Sequence, residues 1–536
     1  MKNSNDTIMT VFRNSLKSEK TYSPNDIFSI MSEVVSTDGA GFEKSNKKVS
    51  YYNIPCSFDI EVTSFKVNTP DGEQKTAIMY IWTFGIFGRV IIGRTWADFV
   101  TMIQSISNIL ALDDTHRLIV GVHNLAYEFQ FMRKYFNWNK VFSIDSRKPI
   151  YAVTDNGIEF RCTYLLSGYS LAKLADNLQT YDIKKLSGDL DYTKPRHSKT
   201  PITDEELAYC INDCKIVMAY LMEEIERNGG ISKIPLTKTG YVRNYCRNSC
   251  FYEPNIPKKK SHKRQRYKEL MWGMVLEPSE YEQLKRAFQG GFTHANAFYS
   301  GKIVEDVTSY DFTSSYPTVM IAERFPISAG ELYTPKDKAD FEENLQLYCC
   351  LFDVEFTGLM ASEWYENYIS ESRCWGLNKP VVNNGRVVSA DLLYTTITET
   401  DFLIIRNMYT WDSMRIRNFR RYKKDYLPTD FVKAILKLYH DKTTLKGVDG
   451  KEAEYLNSKE MLNSCYGMAV TDIVRPEYIY TDEWEEPQTP DLEKAIADYN
   501  KNGGRFLFYP WGVGYSVCPQ KPVHGYTRVQ HRLYIQ

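Results

Sequence analysis

The chain has 536 residues, 43% of them hydrophobic, which is enough for about three or four domains rather than one core. Its mean hydropathy is −0.42, and no apolar run approaches the ~20 residues a membrane helix needs, so no membrane partner is expected. A net charge of −1 excludes a uniformly basic nucleic-acid coat, so any contact with a polyanion has to come from local stretches.

Residues 1–50 are polar, lack the apolar core of a signal peptide, and read as an extension with one helix. Eleven cysteines without metal-ligand spacing suit a reducing cytoplasm. From 51 to 230 the pattern alternates strands and helices, an α/β domain. Ser57–Val62, Thr76–Phe84 and Arg117–Val122 are predicted strands. Leu171–Leu178 and Asp204–Arg227 are predicted helices, the second with Thr203 as N-cap. Residues 231–285 form a connector that includes the basic run Lys258–Arg266. Phe288-Gln289-Gly290-Gly291 is a turn that calls for glycine dihedrals or close backbone approach. Val304–Phe312 is a predicted strand ending at Asp311, and 325 to about 410 is mixed. A second basic stretch, Arg415–Lys424, interleaves Phe419 and Tyr422. Phe431–Lys446 and Glu452–Tyr466 are two predicted helices joined by a glycine turn.

Three acidic motifs stand out in the first half. In Phe58-Asp59-Ile60-Glu61, residues two apart on a strand share a face, so Asp59 and Glu61 point the same way. In His123-Asn124-Leu125-Ala126-Tyr127-Glu128, an acid follows a buried strand with an amide and a ring nearby. In Tyr209-x-x-x-Asp213, residues four apart share a helix face. Each alone is common. Together they offer four carboxylates, Asp59, Glu61, Glu128 and Asp213, to two hydrated cations (Mg²⁺ or Mn²⁺), with Tyr209 orienting a water. Two further strings lie in the second half: Asp311-Phe312-Thr313-Ser314-Ser315-Tyr316-Pro317, and Lys459-x-x-x-Asn463-Ser464-x-Tyr466-Gly467. A carboxylate at a strand end suits a catalytic metal, and a helical lysine suits a triphosphate.

The three acidic motifs resemble those of DEDD 3′–5′ exonucleases with a tyrosine in the third motif, the proofreading domain of family B DNA polymerases. Glu128 stands where that superfamily usually has Asp. Asn124, Tyr127, Ser170, Leu171 and the segment Lys184–Tyr192 resemble parts that bind single-stranded DNA in the protein-primed branch. There a lysine precedes the Gly-Asp pair; here Ser187 holds that place, and the sequence leaves open whether Lys185 substitutes. The two later strings resemble that branch's polymerase motifs. The resemblance implies Asp311 and Lys459 as catalytic groups, Ser314, Ser315, Tyr316, Lys459, Asn463 and Tyr466 around the nucleotide, and Gly290, Gly291 and Gly467 against DNA. Tyr316 would exclude a 2′-hydroxyl, and Gly467 would end its helix near the template. Phe288–Gly291 resembles the branch's Tyr-x-Gly-Gly turn.

The fold expected is multidomain, α/β and α+β: an RNase H-like exonuclease (51–230), a connector (231–285), a right-hand palm with a terminal-protein-type insertion (286–430), fingers (431–470), and a second insertion returning to the palm (471–513). Primer–template and single-stranded DNA, dNTPs and a terminal protein are the implied partners, and a host cytoplasm the implied location. The family's third polymerase motif, Tyr-x-Asp-Thr-Asp, has no match after Gly467, so the end of the palm and the thumb are expected to be missing. Residues 514–536 have no apolar period. Codons for Gly514–Arg528, read one frame over, permit V-T-A-Y-A-R-K-N-L-F-T-G-I-L-E, which resembles the helix expected after Trp511-Gly512-Val513, so this tail is expected to be out of frame. Two alternatives stand beside a polymerase: a working 3′–5′ exonuclease only, or one subunit of a split polymerase.

Overall fold

The structure is a computed structural model. It describes the chain except residues 1, 46–47, 70–71, 145–146, 187–193, 258–259, 291, 293–298, 310–311, 364–366, 470–471, 473, 482–490, 502–525 and 533–536. Asp311, Gly291, Ser187 and most of the 514–536 tail therefore lie outside the described residues. The chain forms two compact units, one built mainly of residues 1–240 and one mainly of 241–475. Among the described residues no helix is long and apolar enough to cross a membrane.

The first unit opens with helix α1 (Lys2–Lys17). Helix α1 buries Phe12 and Leu16, and Phe12 packs on Phe87 and edge-on against Tyr181. Gly88, at φ +86°, meets the α1 backbone so closely that a Cβ would fall 2.8 Å from the Leu16 nitrogen. Then come strands β1 (Cys56–Thr69), β2 (Gly72–Ile86) and β3 (Arg89–Gly93), helix α2 (Trp96–Leu110), strand β4 (His116–Val122), helix α3 (Leu125–Met132), strands β5 (Trp138–Ser143), β6 (Pro149–Thr154) and β7 (Ile158–Cys162), and helices α4 (Leu171–Asp176) and α5 (Asp204–Asn228). Their sheet order is β3-β2-β1-β4-β7-β6-β5. The central pairs β1/β4 and β4/β7 are parallel and the flanking ones antiparallel. The core strands are nearly continuous apolar runs because both sheet faces are covered.

Helix α5 starts with a capping box: the Thr203 hydroxyl accepts from the Glu206 amide and the Glu206 carboxylate accepts from the Thr203 amide, both at 3.1 Å. It can lie close to the sheet because small residues face it. A Cβ on Gly121 would sit 2.7 Å from Leu221, and one on Gly85 2.7 Å from Met218. The Ser57 hydroxyl donates to the Cys214 carbonyl at 2.9 Å, fixing α5 over the start of β1.

The second unit has its own cores. Helices α6 (Lys238–Phe251), α7 (His262–Trp272), α8 (Pro278–Ala287) and α9 (Ser315–Ala322) precede helix α10 (Lys338–Leu347) and strand β8 (Cys349–Ala361). Strands β9 (Cys374–Asn378) and β10 (Arg386–Thr398), helix α11 (Glu399–Met408) and strand β12, here Ser413–Tyr422 after the two-residue β11 (Tyr409–Thr410), complete an antiparallel sheet centred on β8. One face of this sheet packs Phe352 and Phe419 on Phe341 and Phe402 of α10 and α11. The region that the sequence left mixed is thus a sheet with two helices. Beyond it, α12 (Thr429–Leu445) and α13 (Glu452–Ala469) pair over a core of Phe431, Ile435, Leu438, Leu462, Cys465 and Met468, joined by Val242, Cys246 and Cys250 of α6.

Three expectations change. Residues 304–309 carry no strand; Val307 is exposed, and no strand pairs with the segment among the described residues to make a ladder. Helix α13 continues to Ala469, so Gly467 lies in its last turn rather than ending it. Among the described residues, several cations of the two basic stretches are paired within the protein itself. Lys263 and Arg266 bond Asp430 at 2.8 and 2.7 Å, Arg420 is buried against Glu277, Ser279 and Gln283, and Arg421 pairs with Glu331.

Candidate functional site

The first unit gathers three carboxylates from distant parts of the chain. Asp59 and Glu61 leave the same face of β1, and Asp213 leaves the underside of α5. Single oxygens of the three lie within 4.8 Å of one another. Glu128 reaches the same region from α3. Apolar Leu125, Phe129 and Met132 recur at helical spacing, and Glu128 occupies a position on that core-facing stripe. Asn124 precedes it with left-handed φ (+80°), and Tyr127 stays on the exposed side beside Phe131.

Burial and mutual repulsion make this cluster uphill when charged. Asp59 is pushed up to about 7, by burial first and then by Asp213. Glu61 rises to about 8, through burial, Asp59 and Asp213. Glu128 is held well above the carboxylate range by burial and Asp59, and Asp213 is raised by burial against the pull of Lys185. One oxygen each of Glu128 and Asp213 is buried with no hydrogen-bond partner. Hard oxygen donors, several charges and an orphaned lone pair on Asp213 fit a divalent cation at Asp59, Glu61 and Asp213; Glu128 is not among the three that meet within 4.8 Å.

Lys185 is the residue whose place the sequence left open. Asn212 of α5 donates to the Lys184 carbonyl at 2.8 Å, and this turns Lys185 inward. Its Nζ donates to the Tyr209 hydroxyl at 2.7 Å and to Asp213, and sits 3.9 Å from the Tyr209 ring centre. His123, which opens the second acidic motif, has its Nδ1 3.2 Å from the Thr163 hydroxyl. Burial pulls this imidazole down to about 4, so it is neutral at physiological pH. Ser170 caps α4, its hydroxyl accepting from the Lys173 amide at 3.4 Å, and Leu171 is half-buried beside it.

In the second unit, Ser314 precedes α9 with φ +50°, leaving Ser315 and Tyr316 exposed at the helix start. Tyr316 stacks on Tyr466 with ring centres 4.3 Å apart and planes 21° from parallel. Lys459 and Asn463 are exposed one turn apart on the same α13 face, while Leu462 and Cys465 of that helix are buried. A missed group joins them: Lys442 of α12 donates to the Ser314 hydroxyl at 2.9 Å. The only signal for it was a lysine on the polar side of α12. Gly290 is exposed, has no positive φ, and has open space where a Cβ would go, so its own backbone does not demand glycine. A Cβ on Gly467 would likewise meet nothing within 4 Å.

Residues 172–504 match the model of the family described as DNA polymerase type B, organellar and viral, and the chain belongs to this family. It is 26% identical over 305 residues to the DNA polymerase of Bacillus phage Nf, covering 56% of this chain and 46% of that protein. To the DNA polymerase of Bacillus phage B103 it is 25% identical over a stretch of the same length and coverage. The chain thus spans about half the length of the curated relatives it matches. Its fold is similar to that of Phi29 DNA polymerase complexed with single-stranded DNA (TM-score 0.60, 14% identity, 83% of this chain and 75% of that one). It is also similar to the same enzyme complexed with primer-template DNA and incoming nucleotide substrates (TM-score 0.58, 15% identity, 85% and 78%).

Proposed function

We propose that the chain is the replicative DNA polymerase of a protein-primed, viral type, with a 3′–5′ exonuclease in its first unit and nucleotide-binding fingers in its second. The single observation that carries the nuclease is the meeting of Asp59, Glu61 and Asp213 within 4.8 Å, with Lys185 and Tyr209 beside them. Asp59, Glu61, Glu128 and Asp213 hold Mg²⁺ or Mn²⁺, which when bound would acidify a water and stabilise the leaving oxygen. Lys185 holds the Tyr209 hydroxyl in place and fixes Asp213 by a charge-assisted hydrogen bond. Asn124, Tyr127, Ser170 and Leu171 line the single strand's approach.

In the second unit Lys459, with Lys442 behind Ser314, meets the triphosphate. Tyr316 and Tyr466 close over sugar and base, Ser315 and Asn463 complete the pocket, and Gly290, Gly291 and Gly467 face the DNA. Asp311 supplies the polymerase metal ligand. Partners on this reading are primer–template DNA, single-stranded DNA, dNTPs and a terminal protein, in the cytoplasm of the host. The test is Mg²⁺-dependent action on a 5′-labelled primer–template with and without dNTPs. Shortening from the 3′ end without dNTPs is the expected result; no shortening with either metal overturns the nuclease assignment.

A second reading, a nuclease alone, rests on the first unit, where Asp59, Glu61 and Asp213 meet within 4.8 Å. The same assay separates the two, since extension with dNTPs requires the second unit's site.

A further inference from the structure

Strands β1 and β2, of 14 and 15 residues, are far longer than their sheet needs. β4 pairs with β1 only at Ser57 and Phe58, and β3 pairs with β2 only from Trp82 to Ile86. Across Ser64–Thr69 and Gly72–Ile78 the two strands continue as a ribbon that, among the described residues, pairs only with itself: Phe65 opposite Thr76, Lys66 opposite Lys75, Val67 opposite Gln74. A lone two-stranded ribbon adds little to stability in water, so folding does not explain its length.

Its side chains are patterned. The register shift near Glu61 places the extra residue on β2, so alternation along β1 is unbroken. Asp59, Glu61, Thr63, Phe65 and Val67 therefore share one strand face. Thr63 is buried; its hydroxyl donates to the Lys194 carbonyl and accepts from the Arg196 amide, both at 3.3 Å. Beyond that crossing, Phe65, Val67 and Ile78 are exposed at 38, 37 and 40%. Phe65 follows Glu61 by four residues, about 14 Å along the strand. On the opposite face Lys66 and Lys75 stand directly across from each other, an arrangement that repels unless an anion joins it. Glu73 answers Lys66 at 2.8 Å in solvent.

We propose that this ribbon guides the single-stranded end of a polynucleotide into the carboxylate cluster, Phe65 and Val67 meeting a base and the lysine pair drawing the phosphates. This rests on the nuclease reading. A single strand is the occupant the ribbon's features select. The apolar face continues the strand face that carries the cluster, and a polyanion with aromatic bases matches a narrow ribbon with an exposed ring on one face and long lysine side chains on the other.

The test uses the full chain and three proteins: wild type, Phe65→Ala/Val67→Ser, and Lys66→Ala/Lys75→Ala. Binding of a labelled 12-nucleotide single strand is measured by anisotropy in Ca²⁺. Hydrolysis of that strand and of the p-nitrophenyl ester of thymidine 5′-monophosphate, too short to reach the ribbon, is measured in Mg²⁺ or Mn²⁺. The expected result is about tenfold weaker binding for Phe65→Ala/Val67→Ser, the worth of one stacked base, appearing as a raised KM with kcat kept. Lys66→Ala/Lys75→Ala flattens the salt dependence of binding. Oligonucleotide binding and KM that match wild type in both variants overturn the proposal, as does wild-type self-association that either variant abolishes while strand binding is kept. Wild type that hydrolyses neither substrate sinks the nuclease reading, and the anisotropy still decides the ribbon.

Discussion

The two candidate sites differ in what holds them. In the first unit the functional side chains are packed between a sheet and a long helix, and their charges are forced together: Asp59 and Glu61 rise to about 7 and 8 through burial first and then their acidic neighbours, which Lys185, and for Glu61 also Arg196, only partly offset. In the second, Lys459, Asn463 and Tyr316 sit on solvent-facing sides of helices whose other sides carry the core. A buried site declares itself through unfavourable electrostatics that only a ligand relieves. A surface row of lysine, asparagine and tyrosine declares nothing without the motif that spaces it. This contrast predicts that single changes in the first unit act on chemistry, and single changes in the second act on binding.

The largest effect is expected for Asp59→Ala. Removing a central ligand from the cluster should reduce metal-dependent 3′ degradation by about 10³-fold or more, while nucleotide binding in the second unit is unaffected. Release of mononucleotides from a labelled single strand measures it, and activity within tenfold of wild type would move the nuclease elsewhere.

On the other side of the comparison, Lys459→Ala should weaken Mg²⁺-dNTP binding by about 10- to 100-fold, the worth of one charge-assisted contact. Lys442→Ala should cost less, because part of its hydrogen bonding goes to Ser314. Titration with a fluorescent dNTP ranks the two; equal losses, or none, would dissolve the triphosphate site as drawn.

Lys185→Met tests whether this lysine serves chemistry or packing. Its charge lowers Asp59, Glu61 and Asp213, so its loss should raise all three and move the acid limb of the pH–rate profile to higher pH, with kcat down about tenfold. A purely structural lysine would reduce activity without moving the profile.

The frame of the first site was legible because it is written in periodicities. Asp59 and Glu61 stand two apart on a strand, Tyr209 and Asp213 four apart on a helix with its Thr203 cap, and the strand and helix boundaries differ from the predicted ones mainly at their ends. What was not legible depends on contacts between segments distant in sequence. Lys185 acquires its position from Asn212, Lys442 from Ser314, and α1 from the Phe87–Gly88 turn. The extension of β1 to Thr69 escaped because its alternating pair, Phe65 and Val67, is too short a run to mark a strand and is buried in no core. Arg415–Lys424 misled in the opposite sense, since a run of arginines looks exposed until Glu277 and Glu331 are placed against it.

The smallest effect sharpens the comparison most, because it separates stability from catalysis at the same residues. In the unfolded chain the cluster's carboxylates titrate near 4. In the folded chain Asp59 and Glu61 titrate at about 7 and 8. Between these limits the folded state binds more protons than the unfolded one, so metal-free stability is greatest at the acid end and falls as pH rises toward 8. A divalent cation binds the deprotonated cluster, so the stabilisation it brings should grow over the same range. At a hundredfold excess over its dissociation constant that stabilisation is about 2.7 kcal/mol, or some 5 °C in the Tm of a body this size. Thermal unfolding at pH 5.5 and pH 8, with EDTA and with Mg²⁺, should show a metal-dependent gap that widens with pH. Asp59→Asn should raise the metal-free Tm at pH 8 by removing a repelling charge, even as it abolishes degradation. A metal-free Tm that instead climbs from pH 5.5 to 8 would mean the carboxylates are not crowded as drawn, and the buried site would lose the property that distinguishes it from the exposed one.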